Sequence, residues 1–245
     1  MKNNKCFIIA EIGGNFTNFV QAKKLIDLAK KAKVNAVKLQ TFNPDTLASK
    51  KAMFDMKNTG KVSQYDLFKK YQVNEKLHNK IFKYCKIKKI ECFSTPAHPE
   101  DVDLLEKFKV KYHKIGSDDA INIPLLKYVA KTKKEIILST GMCNLNEIKN
   151  SVKSILKYNK KLSLLHCVSD YPADKKEINL NAILTLKKQF PKLKVGFSDH
   201  TIGSLASLCA VVLGAEIIEK HFTFNKKLKG PDHMLSSDFK EMKWL

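Results

Sequence analysis

The stretch KVGFSDHTIGSLASLCAVVLGAEIIEKHFT (194–223) contains a complete strand–helix–strand unit. Lys194–Asp199 and Glu216–Thr223 are short runs rich in apolar residues, which is typical of buried parallel strands. Between them, Gly203–Leu213 has apolar residues at helical spacing. The stretch therefore predicts one β–α–β unit.

The same alternation runs outward along the whole chain. Six further strands are predicted at Cys6–Ile12, Ala36–Thr41, Ile90–Thr95, Tyr112–Ser117, Glu135–Thr140 and Leu162–Cys167. Helical spacing occurs at Val20–Lys33, Asp101–Phe108, Asn144–Tyr158 and Asn179–Phe190, and Asn144 and Glu147 are spaced like a capping box. Eight units in 245 residues predict an α/β protein with one (β/α)₈ TIM barrel spanning 1–245. A doubly wound open sheet is the alternative, although the G-x-G-x-x-G fingerprint of dinucleotide folds is absent.

The composition excludes several functional classes. The chain has 45 basic residues against 24 acidic ones, a formal net charge of +21, but every basic residue is lysine. Proteins that recognise bases favour arginine, and these lysines are spread along the chain, so nucleic-acid binding is a minor alternative. No apolar stretch approaches the roughly 20 residues of a membrane helix, and no signal peptide is evident. Six cysteines without a C-x-x-C pair indicate reduced thiols and a cytoplasmic protein.

One connection differs from the others. Residues 41–74, after the second strand, form a long polar and mixed segment. A segment of this length predicts either a lid over the functional site or a floppy insertion.

Polar residues interrupt the apolar strands at their carboxyl ends, where barrels of this kind carry their functional groups. In chain order these are Glu11, Lys38, Gln40, Ser94, Thr95, Lys114, Ser117, Ser139, Thr140, His166, Ser169, Asp170, Tyr171, Ser198, Asp199, His200, Glu219, Lys220 and His221. Lys38 and Lys114 lie on otherwise buried strands, and lysines converging with hydroxyl groups make a phosphate cradle. The alternative is that the two lysines pair with Glu11 or Glu219 and have no chemical role.

Two histidines end adjacent strands. His200 and His221 could bind one divalent ion such as Mn²⁺, Co²⁺ or Fe²⁺, which imidazole and oxygen ligands suit, and leave coordination positions open for substrate. The alternative is a pair of hydrogen-bonded structural histidines. His166 is a candidate third ligand or a hydrogen-bond donor to a ligand, whereas His78, His98 and His113 are interpreted as surface or structural residues.

The chain resembles the N-terminal barrel of the sialic acid synthase family, which includes N-acetylneuraminate, legionaminate and pseudaminate synthases. The matching segments are AEIGGN (10–15), AVKLQTF (36–42), FSTP (93–96), HKIGS (113–117), LSTGM (138–142), LLHCVSDYP (164–172), GFSDHTIG (196–203), GAEIIEKHFT (214–223) and GPDH (230–233). They occur in order over nearly the whole chain, so together they are highly specific.

The resemblance implies a condensation of phosphoenolpyruvate with the open-chain aldehyde of an N-acylated hexose, such as N-acetylmannosamine or a 2,4-diacetamido-trideoxy analogue. The products would be a nonulosonic acid and phosphate, and GPDH (230–233) favours a sialic or legionaminic acid over pseudaminic acid. A divalent metal would assist, with Mn²⁺ expected and Mg²⁺ or Co²⁺ as alternatives.

The resemblance also assigns roles. His200 and His221 match metal ligands, and Glu11, with Glu219 second, matches the catalytic carboxylate. The phosphoenolpyruvate site would be formed by Lys38, Thr95, Lys114, Ser117, Ser139 and Ser198. The sugar site would be formed by Gln40, Tyr171, Asp232 and Asn58.

Several positions depart from the family pattern. Phe16 replaces a histidine, Ser169-Asp170 stands where asparagine is usual, and Lys33 and Lys133 occupy positions where glycine is common. Typical members also carry a C-terminal antifreeze-like domain that covers the partner subunit's site in a swapped homodimer, and it is expected to be absent here. The alternative function is therefore a barrel that binds phosphoenolpyruvate and metal but needs a separate domain for turnover.

Overall fold

Eight parallel strands close into a barrel in the computed structural model, which describes residues 6–56 and 59–245. Over these residues the strands are β1 (Phe7–Glu11), β2 (Ala36–Thr41), β3 (Met53–Met56), β4 (Gly60–Ser63), β5 (Glu91–Pro96), β6 (Tyr112–Ile115), β7 (Glu135–Ser139), β8 (Leu162–Cys167), β9 (Lys194–Asp199) and β10 (Ile217–His221). Their order around the barrel is β1-β10-β9-β8-β7-β6-β5-β2, and β1 pairs with both β10 and β2. The predicted TIM barrel is confirmed, and the open sheet is wrong because β1 and β10 close the circle.

Helices follow the strands along the chain. They are α1 (Phe19–Lys31), α2 (Pro44–Leu47), α3 (Gln64–Tyr71), α4 (Glu75–Lys88), α5 (Pro99–Lys107), α6 (Ile123–Lys131), α7 (Leu145–Leu156), α8 (Asn181–Gln189), α9 (Leu205–Val212) and α10 (Phe239–Trp244). The capping box predicted at Asn144 and Glu147 is confirmed at the start of α7. None of the helices in the described ranges is long and apolar enough to cross a membrane.

Two layers of apolar side chains hold the barrel together. Inside it lies a buried cluster consisting of Ile9, Ala36, Phe93, Ile137, Leu165 and Ile217. Larger clusters lie between the strands and the surrounding helices. None of these six residues is the last residue of its strand, so the carboxyl ends are available for polar side chains that face the barrel mouth.

The segment after β2 has secondary structure of its own. It contains the short helix α2, the antiparallel hairpin β3–β4 and helix α3. Phe68 on α3 packs edge-on against Phe42 and Phe54, with ring centroids 5.3 and 5.7 Å apart. Asn58, a candidate sugar contact, lies outside the described residues.

The two lysines that replace glycine adopt the backbone conformation that glycine favours. Lys33 and Lys133 have φ angles of 65° and 61°. Residues other than glycine are sterically strained in this left-handed region, because their Cβ atom crowds the backbone. The turns therefore require the glycine conformation even though this sequence supplies lysine.

Candidate active site

A cavity of about 340 Å³ opens at the carboxyl ends of the barrel strands. The predicted residues that line it are Lys38, Gln40, Thr95, Lys114, Ser117, Ser139, Ser169, Tyr171, Ser198, His200, Glu219 and His221. Strand alternation explains this convergence, because every second side chain of β2, β9 and β10 faces the barrel interior. Residues from all these strands therefore meet in one place.

A larger cavity, of about 710 Å³, opens at the opposite end of the barrel. Its lining includes Phe7, Tyr112, Glu135 and Lys194, which are the first residues of their strands. Active sites of this fold lie at the carboxyl ends, so the smaller cavity is the candidate site despite its volume.

Two buried lysines form the cationic side of the smaller cavity. Lys38 contacts the carboxylate of Glu11 and donates a hydrogen bond to Thr95 Oγ1 at 2.8 Å. Lys114 donates to Ser139 Oγ at 2.7 Å and to the carbonyl of Ile115 at 2.8 Å. The pairing considered from sequence thus exists for both lysines, since Lys114 Nζ also forms an ion pair with Glu219 Oε1, at 3.9 Å.

Two buried carboxylates lie beside the lysines and differ in their surroundings: Glu219 lines the cavity, whereas Glu11 contacts Lys38 but is not part of the lining. Burial raises the pKa of Glu11 although Lys38 opposes the change, and Glu11 Oε1 accepts a hydrogen bond from the Gly13 amide. Burial also acts to raise the pKa of Glu219, but the charges of Lys114 and Lys38 outweigh it and the pKa is lowered. Glu219 therefore favours the ionised form, and Glu11 binds a proton more readily.

The imidazoles of His200 and His221 face each other, with ring centroids 5.5 Å apart. His200 Nδ1 lies 2.8 Å from the carbonyl oxygen of Val168 and therefore donates to it, which leaves Nε2 with a free lone pair. His221 Nδ1 is buried and has no hydrogen-bond partner. Tyr171 covers both rings, at centroid distances of 4.1 Å to His200 and 5.8 Å to His221.

This donor pair fits a divalent metal held by two imidazoles. A buried nitrogen without a partner is costly unless a ligand uses it, and imidazole suits transition metals. Among residues 6–56 and 59–245, no group of three or more His, Cys, Asp or Glu side chains is arranged to hold a metal ion. Further ligands would therefore be water or substrate oxygens.

Asp232 approaches the site from the loop that precedes α10. Its Oδ2 lies 3.6 Å from His221 Nδ1, and burial raises the pKa of this carboxyl to about 7. A Cβ atom at Gly14 would overlap Asp232 Oδ2, and Gly14 has a φ angle of 73°. The glycine turn after β1 thus makes room for Asp232.

The sequence did not indicate the apolar side of the cavity. Phe42, Leu47, Phe68, Ala97 and Met142 line it, and we call these five residues the apolar wall. Three of them belong to segment 41–74, in which isolated aromatic residues among polar ones were the available signal. Cys167, Asp118 and Asp119 also line the cavity without having been predicted.

Other histidines lie outside the cavity. His166 Nε2 bonds the carbonyl of Ile178 at 2.6 Å, and its neighbour Cys167 faces the cavity instead, so the idea of a third histidine ligand is wrong. His78 and His113 are fully buried and hydrogen-bonded, and His98 caps α5. These three have structural contacts, in agreement with their interpretation from sequence.

The fold and the cavity define an enzyme of the TIM-barrel class. Its cationic, acidic and imidazole groups lie together at the carboxyl ends of the strands, where such enzymes have their active sites. Within this class the chain belongs to the NeuB family, which matches residues 25–245. The resemblance to sialic acid synthases is thereby confirmed.

Individual relatives agree with this assignment. The chain is 43% identical to the N,N'-diacetyllegionaminic acid synthase of Campylobacter jejuni, over 98% of this chain and 74% of that protein. It is 42% identical to the synthase of the same name from Legionella pneumophila, over 97% of this chain and 69% of that protein. The crystal structure of N-acetylneuraminic acid (sialic acid) synthetase from Leptospira borgpetersenii, in complex with citrate, superposes with a TM-score of 0.91 at 35% identity, covering 99% of this chain and 81% of that one. The protein is a sialic acid synthase-like enzyme.

Proposed function

We propose that this enzyme condenses phosphoenolpyruvate with an N-acylated hexose aldehyde and water, giving a nonulosonic acid and phosphate. One observation carries the proposal: two buried lysines with hydroxyl partners share a cavity with two facing imidazoles. The first group suits a small anion with phosphate and carboxylate charges. The second suits a metal beside the aldehyde.

Phosphoenolpyruvate would bind at the lysine side of the cavity. Thr95 and Ser139 accept hydrogen bonds from Lys38 and Lys114, so their own O–H groups remain free to donate to phosphate oxygens. Ser117 and Ser198 line the same cavity and would complete the anion site. Together they hold the enol carbon toward the imidazole pair.

The reaction forms one C–C bond and breaks one C–O bond. Carbon 3 of phosphoenolpyruvate attacks the aldehyde carbon, and the aldehyde oxygen takes up a proton. Water adds to the cationic carbon 2 and loses a proton, after which the bond from carbon 2 to the phosphate oxygen breaks and phosphate leaves with the electron pair. The remaining hydroxyl on carbon 2 loses its proton to give the keto group.

Glu11 would steady the positive charge at carbon 2 and take the proton from the attacking water. Its raised pKa suits a general base, because such a base works best near the operating pH. Glu219 is the second candidate, since its Oε2 is buried without a hydrogen-bond partner.

His200 and His221 would hold a divalent metal, for which we propose Mn²⁺ with Mg²⁺ or Co²⁺ as substitutes. When bound, such a metal supplies Lewis-acid polarisation of a carbonyl oxygen. Tyr171, stacked on His200, restricts the orientation of that ring. His221 keeps a buried Nδ1 without a hydrogen-bond partner.

For the sugar we propose a 2,4-diacetamido-trideoxy hexose of the legionaminate type, contacted by Gln40, Tyr171 and Asp232. The apolar wall supports this choice, because a methyl group at carbon 6 gains from apolar contact where a hydroxyl does not. The two legionaminic acid synthases among the relatives support it as well. Segment 41–74 would act as the lid that carries most of the wall.

We also propose a cytoplasmic enzyme that binds neither nucleic acid nor membrane, and that forms a homodimer. The free cysteines of the described chain suit a reducing compartment. Titration with duplex and single strands at low salt tests the absence of nucleic-acid binding, because such binding is strongest there and falls steeply as salt is added.

Phosphate release tests the proposed function. Purified protein is incubated with phosphoenolpyruvate, Mn²⁺ and either the trideoxy hexose or N-acetylmannosamine, with and without a chelator. We expect release with the trideoxy sugar, none with chelator, and little in His200→Ala or His221→Ala. His98→Ala, which alters a partly exposed helix cap outside the cavity, serves as the control. Undiminished release in both cavity variants would overturn the metal assignment, and calorimetric binding of phosphoenolpyruvate without release would favour a barrel that only binds.

A further inference from the structure

A buried ion pair lies behind the two facing imidazoles. Asp199 and Lys220 are both completely buried, and Lys220 Nζ lies 3.0 Å from Asp199 Oδ2. The two residues are direct partners in the parallel pairing of β9 with β10. They precede His200 and His221 in sequence, so their side chains lie on the helix side of the strands and the imidazoles lie on the cavity side.

The pair forms hydrogen bonds with the residue that follows His200. Asp199 Oδ1 accepts hydrogen bonds from the backbone N and Oγ1 of Thr201, each at 2.8 Å. Lys220 Nζ donates to the carbonyl of Thr201, also at 2.8 Å. Thr201 is therefore held at three of its polar atoms by two side chains.

Helix α9 anchors the same cluster. Ser207 Oγ donates to Asp199 Oδ2 at 2.5 Å, and Ser207 is itself fully buried. The carboxylate of Asp199 thus has partners on both oxygens, from the strand end, from β10 and from the helix. A group with so many directed partners has little freedom to move.

These hydrogen bonds connect the backbone segments that carry the two histidines. His200 lies between Asp199 and Thr201, both of which are held in the cluster. His221 follows Lys220 directly, so the bond from Lys220 to Thr201 ties the end of β10 to the loop after β9. A shift of one strand end relative to the other would have to break this bond.

Stability alone is a weak reason for such a pair. Replacing a buried ion pair by apolar residues of similar volume is often neutral or stabilising, because burial of two charges costs as much as their attraction returns. Phe197 and Ile218, two residues before Asp199 and Lys220 on the same strands, belong to the apolar cluster between the strands and the helices. The directed bonds to Thr201 are what an apolar pair would not provide.

We propose that Asp199 and Lys220 are positioning residues that set the separation and orientation of the His200 and His221 imidazoles for a divalent metal. This inference rests on the proposed function, in which the imidazoles are metal ligands. Partners behind metal ligands typically change metal affinity by about 10- to 100-fold when they are removed. The ion pair would therefore act on metal binding without touching metal or substrate.

The test is the double variant Asp199→Asn/Lys220→Met, which leaves no unpaired buried charge. Circular dichroism and a thermal melt establish folding, and free Mn²⁺ is measured by electron paramagnetic resonance during titration of metal-free protein. We expect Mn²⁺ to bind at least tenfold more weakly in the folded variant. The Mn²⁺ concentration for half-maximal phosphate release should rise equally, while the KM for phosphoenolpyruvate changes less than threefold.

A matched control removes another polar pair from the helix side of the barrel, in which His113 is buried and Glu106 is partly exposed. Glu106→Gln/His113→Gln disrupts a 2.9 Å contact behind β6, which carries neither imidazole, and should leave Mn²⁺ affinity within twofold of wild type. Ser207→Ala, which removes one hydroxyl and uncovers no charge, keeps the test usable if the double variant misfolds, and should weaken Mn²⁺ binding severalfold.

Unchanged Mn²⁺ affinity in folded Asp199→Asn/Lys220→Met, or in Ser207→Ala if only that variant folds, would overturn the positioning role while leaving the metal site intact. Equal weakening in the control pair would also overturn it. Wild-type protein that binds no Mn²⁺ would overturn both the metal site and this inference, whereas Mn²⁺ binding without phosphate release would contradict only the proposed reaction.

Discussion

Glu11 and Lys38 are direct partners in the pairing of β1 with β2, and their charged groups are in contact inside the barrel mouth. The same register places Glu11 opposite His221 on β10. One carboxylate therefore lies between the lysine side of the cavity and the imidazole side. In the proposed reaction this is the position at which carbon 2 of phosphoenolpyruvate would react with water.

Glu11→Gln should lower kcat by about 10²- to 10⁴-fold, because the amide cannot take a proton from water. The substitution keeps an oxygen for the Gly13 amide, so the loop should stay in place and the KM for phosphoenolpyruvate should change little. Steady-state phosphate release measures both constants. Glu91→Gln, which breaks an ion pair with Lys111 at the far end of the barrel, is the control. A fall of less than fivefold in kcat would assign the base to another residue.

Much of this architecture could be predicted from the sequence, since eight apolar runs alternating with helical spacing leave few other folds. The polar residues at the strand ends likewise predicted one shared cavity. It was harder to predict which of two consecutive residues at a strand end faces the cavity. His166 and Cys167 both end β8, and only the pairing of Cys167 with Ser198 shows that the thiol side faces the cavity.

The long segment after β2 was also beyond prediction from its pattern. Each strand of its hairpin is only four residues long, and its aromatic contacts join Phe42, Phe54 and Phe68 across many positions in sequence. Short strands of this kind depend on tertiary packing more than on local preference. The apolar wall therefore could not be predicted from the sequence pattern, because tertiary packing brings its residues together.

Phe68→Ser should reduce selectivity for the trideoxy sugar. The ring lines the cavity, and loss of apolar contact with a methyl group is worth roughly tenfold in relative kcat/KM. The ratio of kcat/KM for the trideoxy hexose to that for N-acetylmannosamine measures the effect. Phe19→Ser, which makes the same change on the outer helix α1, should leave the ratio unaltered. An unaltered ratio in Phe68→Ser would remove the wall from substrate recognition.

Lys33→Gly should stabilise the protein. Lys33 is exposed and has a φ angle of 65°, a conformation that costs an ordinary residue about 1 kcal/mol or more relative to glycine. Part of the gain is lost because glycine makes the unfolded chain more flexible, so we expect an increase of about 0.5 kcal/mol in the free energy of unfolding. Urea denaturation checks this value. Lys149→Gly, in the middle of α7, should instead destabilise by about 1 kcal/mol, and a loss of stability in both variants would contradict the strain argument.

His78 should make the stability of the protein depend on pH in the acid range. It is fully buried beside the stacked rings of Phe82 and Phe108, its Nε2 lies 2.8 Å from Thr41 Oγ1, and its Nδ1 lies 3.0 Å from the carbonyl of Asn74. Burial lowers the pKa of this imidazole from 6.5 to about 4. Between these values the unfolded chain binds a proton that the folded chain does not, so stability falls as the pH drops from 6.5 toward 4.

The loss attributable to His78 amounts to about 3 kcal/mol at pH 4, since each pKa unit corresponds to about 1.4 kcal/mol. Urea denaturation of wild type and His78→Gln at several pH values isolates this contribution, because the other titrating groups are common to both proteins. Wild type should be the more stable protein above pH 6.5, and its advantage should shrink as the pH falls, because glutamine keeps hydrogen-bonding groups but takes up no proton. Parallel stability curves for the two proteins would show that the imidazole is equally easy to protonate in the folded and unfolded chains, and that burial among the phenylalanine rings does not control its charge.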